Sequence, residues 1–278
     1  MKPLFFVLPL FCVSVEAQVV ADGLILDLDA DLGVKVEDGD RVAKWTNQAT
    51  ALVAKDFVKQ DKGRKKLGSG RPTLKKSVAA IGGHNTLAFE WQELVNHEED
   101  AFDHLLAGSG YTWFAVISVY KQVVRLKNVN SFFGNLRNRG NYEGLWGNLT
   151  DDNRVWIGSR NGFSFGRWDK NNPMVIAPKP LKENRYQVVA GRMGAGIGEV
   201  KIEVFLNGPR PVAVKPFPVN PKANPSKFAI GQERDAVNHP GKESFAGEVA
   251  RFLAYERPLS NGELKQTLEH LKKKYLIP

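Results

Sequence analysis

The chain has 278 residues, of which 42% are hydrophobic and 25% charged, with a formal net charge of +9 and one cysteine. This composition is typical of a soluble globular protein, and the length is ordinary for one large all-β domain. With Cys12 as the only thiol, the fold cannot depend on an internal disulfide bond. After the N-terminal segment no apolar run is long enough for a transmembrane helix, so the sequence predicts no membrane span.

An export signal is predicted at residues 1–17. Lys2 gives a positive start, residues 4–13 form an apolar run, and a small-x-small pattern ends at Ala17. The alternative is a buried N-terminal strand. We expect cleavage after Ala17, which leaves one domain at residues 18–278, secreted or periplasmic. Because the sole cysteine lies in the signal, the exported chain would contain no cysteine, which fits a bacterial secreted protein better than an animal one.

A row of aspartates opens the predicted domain. From Leu26 the sequence alternates strictly, so Asp27, Asp29 and Asp31 are expected on one face of a strand. Three carboxylates on one face could bind a metal or serve acid–base chemistry. An outer or edge strand with its polar side in water is the alternative that we favour.

Segments rich in β-branched and aromatic residues between turn signals predict further strands. Tyr111–Tyr120 is apolar on both faces, as a central strand should be, and Trp45 is expected to anchor a short strand in the core. Residues 132–168 predict short strands and hairpins, with Asn161-Gly162 as a turn. The other predicted strands are 86–91, 185–192, 199–206 and 245–255, with the proline-rich segment 212–225 as a loop or edge strand.

The positive charge is concentrated in Lys55–Lys76, which holds nine Lys or Arg against Asp56 and Asp61. A positive field attracts polyanions, but an exported protein rarely meets nucleic acid, so no nucleic-acid partner is expected. Two interpretations stay open. The segment is a solvated basic loop, or it contacts an acidic polysaccharide or a cell surface.

The stretch His97–His104 holds two histidines and four carboxylates. Its histidines are seven residues apart on a predicted loop, unlike a helical zinc pair, and no thiolate can join them. Calcium takes six to eight oxygen ligands from loops and is therefore the better candidate ion.

Three tryptophans are candidate ligand-binding residues. Trp146, Trp156 and Trp168 lie among Asn, Arg and Gly, a composition found on sugar-stacking surfaces. Large aromatic side chains are mostly buried in all-β proteins, so a core position is the alternative.

The C-terminal region predicts a last strand followed by a short helix. Phe245–Tyr255 reads as a strand, and Ser260 with Glu263 forms a capping box that starts a helix. The helix carries one apolar stripe on an otherwise charged surface. The stripe consists of Leu264, Leu268, Leu271 and Tyr275.

Two segments in this region carry a resemblance to a known family. Phe228–Asp235 followed by Ser244–Ser260 resembles the end of a laminin G-like or pentraxin-like domain, and a looser likeness extends back to about Leu24. The resemblance implies an all-β, concanavalin A-like jelly-roll sandwich of two antiparallel sheets with a short C-terminal helix. Such a fold hosts lectins, adhesion modules, hydrolases and lyases alike.

The same resemblance implies a calcium site. In pentraxin-like proteins the loop matching Glu233 and Asp235 supplies calcium ligands, and both residues match in type. Glu243 stands where the family has an amide. The remaining ligands would come from the acidic loop, with Asp103 or Asp100 as the match. A solvated acidic loop without metal is the alternative.

No catalytic residue is assigned, because the sequence contains no Gly-x-Ser-x-Gly, no His-Glu-x-x-His and no laminarinase-type Glu-x-Asp-x-x-Glu motif. We therefore expect a non-catalytic carbohydrate-binding or cell-surface recognition module with a calcium cofactor, and a polysaccharide or glycoconjugate, acidic in character, as its partner. The alternative is a glycoside hydrolase or polysaccharide lyase on the same fold, and a protein-binding adhesion module is a third possibility.

Overall fold

The structure is a computed structural model that describes residues 18–51, 54–61, 64–66, 69–124, 126–137, 141–164, 169–233, 241 and 243–278. Within these residues 17 β-strands precede one α-helix. The strands are β1 Leu24–Asp29, β2 Val34–Glu37, β3 Arg41–Thr46, β4 Asp56–Lys59, β5 Thr73–Val78, β6 His84–Glu90, β7 Leu94–Val95, β8 Tyr111–Val119, β9 Asn130–Gly134, β10 Glu143–Leu149, β11 Arg154–Asn161, β12 Val175–Pro180, β13 Tyr186–Met193, β14 Gly198–Leu206, β15 Pro211–Val219, β16 Ala229–Ile230 and β17 Ala246–Tyr255. Helix α1 spans Asn261–Lys274, and short helical turns lie at Ala79–Ile81 and Leu105–Ser109.

The strands pair antiparallel in two runs. One run has the order β15-β14-β13-β8-β17, and β1 and β6 share the far edge of β17. The other run has the order β2-β3-β4-β7-β16-β9-β10-β11-β12. Strand β5 joins them, since it pairs with β6 and, through Thr73 opposite Arg41, with β3. The predicted all-β class with a short C-terminal helix is confirmed.

Strand β8 lies at the centre of the first run. It pairs with β13 on one side and β17 on the other, and all nine of its residues are buried. Alternate side chains face two hydrophobic clusters, Trp113 in the main core and Phe114 in the cluster beneath α1. The ring centroid of Trp113 lies 4.9 Å from that of Phe133. The predicted central strand Tyr111–Tyr120 is therefore confirmed, with its last strand residue at Val119.

Helix α1 packs against the hydrophobic cluster that contains Phe114. The Ser260 hydroxyl accepts the Glu263 N–H at 3.3 Å, and the Glu263 carboxylate accepts the Ser260 N–H at 2.8 Å, so the predicted capping box is confirmed. Burial of each leucine of the apolar stripe stabilises the docked helix by about 1.5–3 kcal/mol. No helix in the described part of the chain is both long and apolar enough to cross a membrane.

The basic segment Lys55–Lys76 is mostly neutralised. Arg64 forms an ion pair with the buried carboxylate of Glu93, and Arg71, with a side chain 4% exposed, pairs with Asp61 at 2.7 Å. Strands β4 and β5 also lie in this segment. A solvated loop is therefore the wrong interpretation for Arg64 and Arg71, whose side chains are largely buried against carboxylates, whereas Lys55, Lys65 and Lys66 are exposed as that interpretation expects. Further pairs join Lys59 to Glu37, Lys75 to Glu248 and Lys76 to Asp40.

The aspartate row of β1 is a network of ion pairs. Asp27 and Asp29 are buried on one face of β1, as the alternation predicts, and Asp31 follows in the turn after the strand. For Asp27 and Asp29 the expectation of a wet polar side is wrong, because cations from β17 and α1 cover them, whereas Asp31 is exposed. Asp27 pairs with Arg251 and Asp29 with Lys274, and His84 Nδ1 lies 2.6 Å from the Asp31 carboxylate.

Candidate functional site

Strands β9, β10 and β11 turn one face to the main core and carry aromatic and polar side chains on the other. Directly opposed residues lie on the same face of a sheet. Asn148 is opposite both Ser131 and Trp156, whose side chains therefore share its face. We call this the aromatic–polar face, and it consists of Ser131, Trp146, Asn148, Trp156 and Arg160.

Two of the candidate tryptophans are packed against each other on this face. Trp146 and Trp156 are 4% and 1% exposed, and their rings meet edge to face at 5.7 Å. The indole N–H of Trp156 donates to the Asn128 carbonyl at 2.8 Å. Neither ring offers a free face to a sugar in this arrangement, so their contact with a ligand stays a prediction. Trp168 lies outside the described residues.

Arg160 connects the tryptophans with the end of the face. Its guanidinium carbon lies 4.5 Å from the ring centre of Tyr142 and 5.9 Å from that of Trp146. Gly158 leaves room for this packing, because a Cβ there would lie 2.6 Å from the Trp146 ring. A row of stacked groups thus runs from the buried tryptophans to the half-buried Tyr142.

Glu143, the residue after Tyr142, belongs to a second group of charged and polar side chains. Arg137 donates to Glu99 at 3.2 Å and to the Pro225 carbonyl at 2.8 Å, and its own N–H donates to the Glu143 carbonyl at 2.7 Å. The N–H of Asn224 donates to the Glu143 carboxylate at 3.2 Å. We call this group the end cluster, and it consists of Glu99, Asp100, Asp103, Arg137, Glu143 and Asn224.

Asp103 is the perturbed group of the end cluster. Burial, together with the nearby carboxylates of Asp100, Glu143 and Glu99, raises the pKa of its carboxyl to about 6 against the opposing charge of Arg137. Its Oδ1 is shielded from solvent and accepts no hydrogen bond from the described residues. A donor or cation brought to this carboxylate would therefore stabilise its ionised form.

The two histidines of the acidic loop are in different surroundings. His104 places Nε2 3.3 Å from the Glu256 carboxylate, whereas His97 is exposed. This arrangement gives the zinc alternative no support.

The remaining carboxylates of the predicted calcium site lie on either side of residues 234–240. Glu233 and Glu243 are buried, and their carbonyls accept the N–H groups of Leu136 and Ser131 at 3.0 and 2.8 Å. Asp235 lies outside the described residues. Among the described side chains, no three of Asp, Glu, His or Cys form a group that could hold a metal ion. The calcium site, which includes Asp235, stays a prediction.

A polar cluster around Glu248 of β17 was not predicted from the sequence. Glu248 accepts hydrogen bonds from Thr86 at 2.7 Å, from Lys75 at 2.8 Å and from the hydroxyls of Tyr120 and Tyr186. Burial opposes ionisation of Glu248, but these donors outweigh it and lower its pKa. The signal in the sequence was an acidic residue, Glu248, within a strand whose only other charged residue is Arg251.

Solved structures with a similar fold include sugar-bound proteins. Domain 4 of AbnA, a GH43 extracellular arabinanase from Geobacillus stearothermophilus, in complex with arabinotriose, has a TM-score of 0.54 and 15% identity, over 88% of this chain and 98% of that domain. A Trypanosoma rangeli sialidase in complex with sialic acid has a TM-score of 0.52 and 14% identity, over 90% of this chain. The binding domain of Paraclostridial Mosquitocidal Protein 1 has a TM-score of 0.53 and 14% identity, over 89% of this chain and 52% of that one.

These likenesses establish the fold that the chains share and nothing about their residues. The chain spans only 33% of the length of the sialidase chain. Scans against protein-family models and against curated proteins gave no match.

Proposed function

We propose that this protein is an exported, non-catalytic carbohydrate-binding module, folded as a jelly-roll sandwich of two antiparallel sheets. The support from comparison is the arabinanase domain in complex with arabinotriose, which shares the fold over nearly its whole length. Since one fold can host many functions, the proposal depends on the residues of the site.

The observation that carries the proposal is the state of Asp103 in the end cluster. Its carboxylate belongs to a partly buried residue and lies near the charged groups of Arg137 and Glu143. Sugar hydroxyls donate to carboxylates and accept from guanidinium groups. The ligand would be a polysaccharide or glycoconjugate.

Calcium is proposed as the cofactor. The ligands would be Glu233, Asp235, Glu243 and either Asp103 or Asp100. Carboxylates held close together repel one another, and a divalent cation removes that repulsion. Calcium would then order the loops that bear the sugar site.

A glycan array probed with the purified protein tests the proposal. We expect binding to a defined group of glycans in millimolar calcium, weaker binding in chelator, and loss of binding in Asp103→Ala. Asp152→Ala is the matched control, because Asp152 is an exposed loop aspartate paired with Arg154. Absence of binding to every glycan, or equal binding by the two variants, would reject the proposed function or its site.

One observation favours an enzyme as the second candidate. Hydrolysis of a glycosidic bond uses one protonated and one ionised carboxyl group. A pKa of about 6 keeps Asp103 protonated in mildly acidic solution, and Glu143 is one of its charged neighbours. If the protein is a hydrolase, new reducing ends will appear when an array ligand is incubated with it, and Asp103→Asn will stop their formation. An intact ligand supports the binding module.

A further inference from the structure

A pocket of about 350 Å³ lies where β13 begins and the chain leaves α1. This volume is within the range of small-molecule sites. Its wall includes two cations, three amide side chains and apolar residues. The cations are Lys182 and Arg185, the amides belong to Asn184, Gln187 and Asn207, and the apolar part includes Tyr186 and Leu276.

The two cations are available to a ligand. Lys182 and Arg185 are exposed, and neither forms an ion pair or a hydrogen bond with any residue that the structure describes. The loop between them is fixed, because the N–H of Asn184 donates to the Val119 carbonyl at 2.8 Å. In the basic segment Lys55–Lys76, by contrast, five cations are already held by carboxylates. The pocket therefore offers unpaired positive charge in a concave site.

The apolar part of the pocket wall includes Tyr186, Leu276 and Ile277. The hydroxyl of Tyr186 donates to Glu248, and this bond fixes the ring at the pocket wall. Leu276, 68% exposed, lines the pocket with Ile277. An aromatic ring held by a buried carboxylate gives a preorganised surface for a flat or ring-shaped ligand.

We propose that this pocket binds the carboxylate-bearing ring of an acidic saccharide, a uronic acid unit. The carboxylate lies between Lys182 and Arg185, the amides of Asn184 and Asn207 bond the ring hydroxyls, and the apolar wall covers one face of the ring. The saccharide nature of the ligand rests on the proposed function. The site itself is separate from the end cluster.

The probe is methyl glucuronide, with methyl glucoside as its neutral counterpart, titrated into the full-length protein and followed by NMR. We expect glucuronide to bind, with shifts at Asn184 and Leu276, and its affinity to fall as ionic strength rises. Lys182→Ala/Arg185→Ala removes two exposed charge contacts and should weaken glucuronide binding roughly tenfold. The melting temperature should stay unchanged because both side chains are exposed.

The matched control is Lys65→Ala/Lys66→Ala, which removes two exposed charges from the basic segment. Equal loss of glucuronide binding in the two double variants, or no loss in Lys182→Ala/Arg185→Ala, overturns the proposal. So does binding of glucoside as tight as that of glucuronide.

Different outcomes reject the two proposed sites, the end cluster and the pocket. Array binding that depends on Asp103, together with no glucuronide binding, overturns the pocket and leaves the proposed function. Glucuronide binding that depends on Lys182 and Arg185, with no effect of Asp103→Ala on any glycan, supports the pocket and rejects the end cluster.

Discussion

Arg251 donates to both carboxylate oxygens of Asp27, at 2.9 and 2.8 Å, and so ties the first strand of the fold to the last. Both side chains are about nine-tenths buried. Removing one partner of a buried pair leaves a charge without compensation. Arg251→Ala should therefore lower the free energy of unfolding by about 3–5 kcal/mol, measured by urea denaturation. Lys265→Ala breaks an exposed helix pair with Glu269 and should cost less than about 0.5 kcal/mol. Equal losses would contradict the role given to Arg251.

The side chain of Glu248 should also contribute to the free energy of unfolding. Glu248→Ala leaves the hydroxyls of Thr86, Tyr120 and Tyr186 without their acceptor, so we expect a loss of about 3 kcal/mol in the free energy of unfolding. Because the folded pKa of Glu248 is lowered, its contribution is present above the unfolded pKa and is lost as the pH falls through the folded pKa. Glu199→Ala, an exposed strand glutamate, is the control. A loss of unfolding free energy no larger than that of the control would contradict this prediction.

The contribution of Asp103 to folding stability should have the opposite pH dependence to that of Glu248. The folded pKa of Asp103, about 6, lies above the usual aspartate value near 4, so the folded state holds a proton that the unfolded state has released. Its contribution to stability is therefore present below about pH 4 and is lost as the pH rises to about 6. Asp103→Asn should remove this component, so that the variant gains melting temperature relative to the native protein between pH 4.5 and 7. A constant difference across that range is the contradicting result.

Calcium should raise the melting temperature if the proposed cofactor site exists. Binding to the folded state alone stabilises it by about 2.7 kcal/mol at a free concentration a hundredfold above the dissociation constant. Glu233→Ala/Asp235→Ala should abolish the calcium-dependent shift, whereas Asp152→Ala should keep it. Differential scanning fluorimetry in millimolar calcium and in chelator checks this. An unchanged melting temperature of the native protein means that it has no such site.

Export with cleavage after Ala17 should leave Gln18 as the first residue of the secreted protein. The basis is the charged start, apolar run and small-x-small pattern within residues 1–17, which lie outside the described residues. N-terminal sequencing of the secreted product is the measurement. An intact Met1 would restore the alternative of a buried N-terminal strand.

The sequence predicted the elements whose signals lie within a single segment of the chain. The capping box at Ser260 and Glu263 and the stripe beginning at Leu264 involve neighbours within a few turns of one helix, and α1 is found as expected. Tyr111–Tyr120 is long and apolar enough to be recognised as a strand without its partners. The two-residue strands β7 and β16 were missed, because only pairing with other strands defines them.

Charge partners could not be predicted, because they come from distant parts of the chain. Arg64 pairs with Glu93, 29 residues away, and Arg251 with Asp27, 224 residues away. The basic segment and the aspartate row therefore read as solvated charges in the sequence. The same holds for the end cluster, in which Asp103 and Glu143 meet only because loops from separate strands converge.

The central claim is that the end cluster binds sugar without cleaving it. Calorimetric titration of the best array glycan tests this most directly, with the native protein, Asp103→Ala and Asp152→Ala measured in calcium and the glycan recovered afterwards. We predict saturable binding by the native protein and Asp152→Ala, at least about tenfold weaker binding by Asp103→Ala, and an intact glycan. Equal affinity in all three proteins, or a glycan recovered as fragments, would contradict the account.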